Sequence, residues 1–369
     1  MNPSIFSGRR VFLTGHTGFK GAWLTQWLLQ LGADVTGYAL DPPTSPSLYE
    51  QLNLESEICS IRGDVRDLQK LTDAIGQARP DFLFHLAAQS LVRVSYDEPV
   101  ETITTNVMGT VNVLEALRTL RRPCVAVVVT TDKCYQNREW VYGYREEDHL
   151  GGADPYSCSK AMAELAVESW RRSWFCRSSA ESVEIRVATA RAGNVIGGGD
   201  WAQDRIVPDC IRALTRNEPI PIRNRHARRP WQHVLDPLHG YLELARHLAT
   251  AETREEIAAR CAPFNFGPSH ESSRTVGELV SEVLRSWPGR SADRTEPNAP
   301  HEATLLQLST EKARALLNWT CQWDFATSVR RTVDWYQRVQ SGESSASVTQ
   351  EQIREFENDY CTRNPLIAE

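Results

Sequence analysis

The sequence predicts an α/β fold, a doubly wound parallel sheet with a smaller C-terminal α/β substrate domain. Three observations predict it. Short apolar runs alternate with stretches of helical periodicity from Val11 to Ala190. The connections between them are short, which favours parallel strands with helices on both faces. A glycine-spaced turn, Gly15-His16-Thr17-Gly18-Phe19-Lys20-Gly21, separates the first apolar run from the first helix. The chain has 369 residues, enough for one large domain or two associated ones.

Val11 to Thr14 reads as the first buried strand. The helix after the glycine turn carries Trp23, Leu24, Trp27, Leu28 and Leu31 before Gly32 stops it. Val35 to Leu40 is the second strand, Cys59 to Gly63 the third (closed by Asp64), and Phe82 to Leu86 the fourth, ending in Ala87-Ala88. Leu68 to Ile75 reads as a helix, as does Thr102 to Leu120, where Ile103, Val107, Val111, Leu114 and Leu117 recur at helical spacing. The apolar run Val125 to Val129 leads to Thr131, Tyr156 to Trp174 is a long helix, and Val183 to Ala190 is a further strand.

Past Arg191 the pattern changes. Gly193 to Gly199 is glycine-rich, Arg223 to Arg229 is strongly basic, and Val276 to Trp287 and Ser309 to Leu317 read as amphipathic helices. Ser341 to Ser347 reads as a polar, flexible stretch before a closing amphipathic helix, Gln350 to Tyr360. The expected division is a nucleotide-binding domain over 1–191 with a return segment at 231–262, a substrate domain over 192–230 and 263–345, and a helical tail over 346–369.

Composition narrows the function. The apolar fraction of 41% and charged fraction of 24% suit a soluble globular protein. A net charge of −6 argues against general nucleic-acid binding. Nine scattered cysteines with no C-x-x-C indicate neither a zinc site nor a disulfide framework, so no metal is expected and a reducing cytoplasm is the expected location. The N-terminus lacks a signal-peptide pattern, and no apolar stretch is long enough to span a bilayer, so no membrane partner is expected.

The chemistry-bearing residues fall at the carboxyl ends of the predicted strands, where open α/β sheets bind ligands. The glycine turn follows a strand and opens a helix, so backbone N–H groups and the helix dipole would meet a pyrophosphate, as in Rossmann-type domains. Asp41 lies about 20 residues past the last glycine, the offset of an acid that holds the adenosine ribose. Asp64 would reach the adenine amine or cap a helix. Thr131-Asp132-Lys133 sets a hydroxyl, an acid and an amine side by side at the mouth of a strand. Tyr156-Ser157-Cys158-Ser159-Lys160 places a tyrosine and a lysine on one helix face. A free tyrosine has a pKa of about 10. A lysine ammonium and a positive nicotinamide ring would both favour its phenolate, and Thr131 could hydrogen-bond the same alcohol.

Together with His85-Leu86-Ala87-Ala88-Gln89 and Arg191-Ala192-Gly193-Asn194-Val195, these motifs resemble the extended short-chain dehydrogenase/reductases that act on nucleotide sugars. Within them the sequence is most similar to 4,6-dehydratases of the CDP-glucose type. The phrases that carry this are the glycine turn, Thr130-Thr131-Asp132-Lys133-Cys134-Tyr135, Gly143-Tyr144-Arg145-Glu146, Asn194-Val195-Ile196-Gly197-Gly198-Gly199-Asp200-Trp201 and Arg229-Pro230-Trp231-Gln232-His233-Val234.

The resemblance implies an internal redox cycle on a CDP-glucose substrate with NAD as a regenerated cofactor. The sugar C4 hydroxyl is oxidised, water is eliminated across C5 and C6, and hydride returns to C6. Tyr156 would take the hydroxyl proton, helped by Lys160 and Thr131. Asp132 would protonate the leaving C6 hydroxyl. Lys133 would be the C5 base or would steer and polarise, at a position where the dTDP-glucose relatives carry glutamate. Cofactor contacts are implied for Gly15, Thr17, Gly18, Phe19, Lys20 and Gly21, for Asp41, Asp64 and Val65, for Leu86, Ala87, Ala88 and Gln89, and for Asn106, Thr130, Tyr156 and Lys160. Substrate contacts are implied for Ser90, Arg93, Asn194, Trp201, Arg205, Arg229 and Gln232. Arg229 is the best match to an arginine over the diphosphate. Asn224-Arg225 stands where the family commonly has Asn-Pro. A homodimer through a four-helix bundle is expected, with Thr102 to Leu120 and Tyr156 to Trp174 as the contributing helices; a homotetramer is the alternative.

Competing activities stay open at this stage. A nucleotide-sugar 4-epimerase needs the same Thr, Tyr and Lys but no elimination pair. A 4,6-dehydratase selective for a dTDP or GDP sugar would share every motif. A redox-sensing regulator on a catalytically dead fold would be expected to lack Tyr156 or Lys160. A decarboxylating enzyme would need an arginine set for a sugar carboxylate.

Overall fold

The computed structural model describes residues 5–175, 184–294 and 305–363. Six parallel strands run through the first half of the chain: β1 (Arg10–Thr14), β2 (Asp34–Ala39), β3 (Cys59–Arg62), β4 (Phe82–His85), β5 (Cys124–Val129) and β6 (Ile185–Ala192). The beginning of the expected strand Val183 to Ala190 lies outside the described residues. With the strand Pro263–Phe266 they form a seven-stranded sheet, in the order Pro263–Phe266, β6, β5, β4, β1, β2, β3. Every neighbouring pair in it is parallel. The return to this sheet therefore runs past residue 262: helix Leu235–Thr250 covers it, and Pro263–Phe266 pairs with β6.

The continuous apolar runs have a direct cause. Successive strand side chains point to opposite faces, and both faces are buried under helices. Val11 and Leu13 of β1, Phe82 and Phe84 of β4, and Val125, Val127 and Val129 of β5 enter one core. Phe12, Leu83, Ala126 and Val128 enter the other. The first core also takes Trp23, Trp27 and Leu28 of the helix Phe19–Gln30.

Two helical segments depart from simple periodicity. The stretch expected as one helix from Thr102 is Pro99–Ile103, a π turn at Thr104–Met108, and Gly109–Thr119. Pro155–Trp170 likewise passes into a π turn at Arg171–Phe175. At the C-terminus, the expected flexible stretch at 341–347 is shorter, because the helix Ser345–Arg363 begins within it. Val348, Ile353, Phe356 and Tyr360 are buried there, and the Phe356 ring meets Trp27 edge-on at 5.7 Å. That apolar anchoring outweighs the polar composition of the entry.

Past β6, on both sides of Pro263–Phe266 in the chain, small two-stranded pairings lie outside the main sheet. Gln232–His233 pairs with Val195–Ile196, Ser273–Thr275 with Arg228–Pro230, and Ser291–Asp293 with Ile220–Ile222. Among the described residues, no helix is long and apolar enough to cross a membrane.

Candidate active site

The glycine turn permits a close approach of backbone. Gly15 has φ +79°, and a Cβ there would lie 2.7 Å from the Ala87 nitrogen. A Cβ on Gly21 would lie 2.1 Å from the Gly15 carbonyl oxygen. Gly18 caps the helix beginning at Phe19, which has no capping side chain and no acid in its first turn. Its N–H groups thus have no carboxylate competitor, as a bound diphosphate requires. Thr17 Oγ1 donates to the Leu40 carbonyl at 3.0 Å, tying the turn to the end of β2. Thr14 Oγ1 accepts from the Leu86 and Ala87 N–H groups, each at 3.2 Å, and so aligns the ends of β1 and β4. These features fit a dinucleotide.

Asp41 lies two residues past β2 and pairs with Arg62 at 3.0 Å. Both border a cavity of 710 Å³ with Tyr49 and Glu55. Asp64 does not cap a helix: Arg66 grips its carboxylate through its guanidinium and backbone N–H and holds it below the ordinary range, while Asp67 caps Leu68–Ala78. Val65 is buried, and its carbonyl accepts from Asn112 at 2.9 Å. Leu86, Ala87 and Ala88 are half-buried beyond β4, and Ser90 is exposed.

Several predicted contacts point into the protein's own framework. Gln89 uses its side-chain amide on Leu91 and Thr102. Asn106, set by the π turn, bridges the Gln89 backbone and Ser159 Oγ, the latter at 2.8 Å. Thr130 donates to Glu164. Gln232 is fully buried and donates to the Phe266 carbonyl at 3.2 Å.

The predicted catalytic residues converge. Thr131 opens a short 3₁₀ turn, Asp132–Cys134, and its Oγ1 accepts from the Lys133 N–H. The same hydroxyl donates to Asp132 Oδ1 at 3.0 Å. Asp132 is buried, and Gly193 makes room for it: a Cβ there would lie 2.8 Å from Oδ2. Burial pushes the Asp132 carboxyl up, opposed by Lys133, the Thr131 hydrogen bond, Arg229 and Lys20. Burial pushes Tyr156 up to about 12, opposed by the neighbouring Thr131. That is the reverse of what a base needs, so the lowering falls to a bound positive charge. Lys160 donates to the Val129 carbonyl at 3.4 Å, and burial lowers it to about 8 against the pull of Glu164.

The structure adds residues whose roles the sequence did not disclose. Glu164, one turn beyond Lys160, pairs with Arg191 at 2.8 Å, and both are buried. Thr189 also donates to Glu164, and Arg191 continues to Tyr135 Oη at 2.8 Å. The i,i+4 spacing of Lys160 and Glu164 was the available signal. Lys20 reaches Tyr241 Oη at 3.5 Å, and burial, then Arg205, lower it to about 8 while Asp132 opposes.

The substrate-side residues are distributed around this cluster. Arg205 pairs with Asp200 at 3.0 Å and also lies in the field of Tyr156. Arg229 lies in the field of Asp132 and donates to the Arg228 carbonyl at 2.7 Å. Its basic neighbours have other partners: Arg223 pairs with Asp204 and Asp209, Arg225 with Asp293, and Arg228 donates to the Ser273 carbonyl. Asn224 Oδ1 accepts from the His226 and Ala227 N–H groups, each at 3.1 Å, and so ties this turn together. Arg93 approaches Asp204 at 4.0 Å, and Trp201 donates to Gln51 at 2.9 Å. Asn194 is half-buried just past β6.

A family model described as GDP-mannose 4,6 dehydratase matches residues 12–332. The chain belongs to this family. CDP-glucose 4,6-dehydratase from Salmonella typhimurium is 44% identical over 357 residues, covering 96% of this chain and 98% of that protein. CDP-paratose 2-epimerase from Salmonella typhi is 30% identical over 88% of this chain and 98% of its own. Among solved structures, the UDP-glucose 4-epimerase of Thermotoga maritima superposes with a TM-score of 0.74 at 20% identity, covering 89% of this chain and 99% of that one. The Thermus thermophilus UDP-glucose 4-epimerase complex with NAD gives 0.74 at 23% identity over the same shares. These structural likenesses establish the shared fold.

Proposed function

We propose that the protein is an NAD-dependent hydro-lyase that converts CDP-glucose to CDP-4-keto-6-deoxyglucose and water. The observation that carries this is the buried Asp132, hydrogen-bonded to Thr131 beside Tyr156, which sets an acid next to an alcohol-oxidising pair. The 44% identity to the Salmonella CDP-glucose enzyme supports the substrate. The glycine turn and the helix it opens would hold the diphosphate of NAD, and Lys160 would lie along its ribose. When bound, NAD supplies a hydride acceptor for C4 and a hydride donor for C6.

Tyr156 accepts the C4 hydroxyl proton, and Thr131 holds that hydroxyl in line. The resulting ketone acidifies C5, where Lys133 removes the proton. Asp132, whose carboxyl burial raises, gives a proton to the departing C6 hydroxyl. Arg229 and Arg205 are placed for the anionic substrate. The domain division proposed is cofactor binding by the large sheet and substrate binding by the smaller pairings outside it. A dimer is proposed through the outer faces of the helices around 99–119 and 155–175, where Val100, Met108, Leu165 and Trp174 are exposed. The cytoplasm is the proposed location, on the scatter of the nine cysteines.

The test is a substrate panel. Protein with added NAD is given CDP-, dTDP-, UDP- and GDP-glucose, and the 4-keto product is read by its alkaline absorbance. Product from CDP-glucose alone is expected. A C4 epimer with no keto product would establish the epimerase instead. Asp132→Asn is expected to slow elimination more than C4 oxidation, so enzyme-bound NADH builds up on adding substrate. Unchanged turnover with no NADH absorbance would make Asp132 structural.

A further inference from the structure

Tyr135 follows the Asp132–Cys134 turn directly, and its side chain is buried. Its phenolic oxygen has two partners. Arg191 Nη1 donates to it at 2.8 Å, and it donates to Asn265 Oδ1 at 2.7 Å. Arg191 of β6 and Asn265 of the strand Pro263–Phe266 lie opposite each other in parallel register. Their side chains therefore share one face of the sheet and form a seat with one donor and one acceptor. The seat is itself held in place. Asn265 Nδ2 donates to the Tyr144 and Ser309 carbonyls at 2.8 and 3.1 Å, which turns Oδ1 toward the phenol. Arg191 is paired with Glu164 and donates to the Glu146 carbonyl at 3.0 Å. The Tyr144 ring stacks on the Tyr135 ring at 5.1 Å.

The two halves of the reaction hang on different supports. Tyr156 and Lys160 stand on the helix Pro155–Trp170, which is tied to the sheet by Lys160 on the Val129 carbonyl and by Glu164 on Thr130, Thr189 and Arg191. Asp132 and Lys133 stand on a single 3₁₀ turn. Thr131 Oγ1 holds the start of that turn by accepting from the Lys133 N–H at 3.3 Å. Its end continues into Tyr135, which bridges to Leu150 in antiparallel fashion. We propose that Tyr135 is a positioning residue for elimination: its hydroxyl, seated between Arg191 and Asn265, holds the Asp132–Lys133 turn at C5 and C6 of the sugar. This rests on the dehydratase reading and names a residue that acts through the turn without touching substrate.

The test compares Tyr135→Phe and Asn265→Ala in full-length protein loaded with NAD and mixed rapidly with CDP-glucose, following NADH absorbance and 4-keto product together. The phenylalanine variant keeps the stacked ring and loses only the seated oxygen. Its product formation should fall about 10-fold or more, since displacing a reacting group by about 1 Å can cost about 10²-fold. NADH should form at the wild-type rate and then persist, with KM for CDP-glucose and the affinity for NAD unchanged. Asn265→Ala removes the acceptor, leaves the phenol, and should give the same split, so either variant decides the matter if the other fails to fold. The double variant should be no slower than the slower single one, because both break one hydrogen bond. Equal slowing of NADH formation and product formation would make Tyr135 merely structural and overturn the proposal. So would product at the wild-type rate with no lasting NADH. Wild-type protein that makes no 4-keto product would instead sink the dehydratase reading, and the role of Tyr135 with it.

Discussion

Tyr156→Phe is expected to reduce turnover of CDP-glucose by about 10²–10⁴-fold, the usual loss on removing a general base. The substitution keeps the ring that fills a buried site and removes only the phenolic oxygen. NAD binding, followed by quenching of tryptophan fluorescence, should therefore be unchanged, and bound NADH should fail to appear on adding substrate. The pH dependence adds a second readout. In the protein alone, burial holds the phenol up at about 12. Turnover of the loaded wild type should rise with pH as the phenolate forms, and this rising limb should vanish in the variant. Turnover above about a tenth of wild type would remove Tyr156 from the base role, since no other general base lost so cheaply could carry the step.

The parts of this site that the sequence made legible are those set by local geometry. The glycine turn, the Thr131–Lys133 turn and the Tyr156–Lys160 helix face each depend on residues within a few positions, and the structure brings all three to the same ends of the sheet. The strands were legible because a sheet buried on both faces needs uninterrupted apolar runs. The framework contacts depend on pairings that spacing does not encode. Thr130 meets Glu164 and Gln232 meets Phe266 at a separation of 34 positions in each case. Lys20 meets Tyr241 at a separation of 221. Asp64 read as a possible cap because its neighbour Asp67 was equally suitable, and only the fold shows Arg66 on the first and the helix on the second. The closing helix was expected from Gln350, and its earlier start at Ser345 was hidden because that entry is polar while the anchors Phe356 and Tyr360 come later.

Glu164→Ala is expected to destabilise the fold by about 3–5 kcal/mol, because it strands a buried arginine. Arg191 and Glu164 are each nearly inaccessible to water, and the carboxylate also receives hydrogen bonds from Thr130 and Thr189. Burial alone would raise the Glu164 carboxyl. Arg191 and the two hydroxyls outweigh it and hold the group below its ordinary 4.5. A carboxyl lowered in the folded state contributes stability that is present above that ordinary value and lost as the pH falls through the folded one. Wild type should therefore keep this contribution at neutral pH and lose it only in acid below about 4.5, while the variant lacks it throughout. Urea midpoints at neutral pH and in acid measure both effects. Joint replacement of Glu164 and Arg191 by leucine should recover much of the loss, since removing a buried pair whole avoids the stranded charge. It should not recover catalysis to the same degree. Glu164 lies one helical turn from Lys160 and supports its charge against burial, so the double variant should fold yet bind its cofactor and turn over as an enzyme whose Lys160 has lost its proton more readily. A double variant with wild-type turnover would confine the pair to stability, and a single variant with an unshifted urea midpoint would show that the interior around Arg191 admits water.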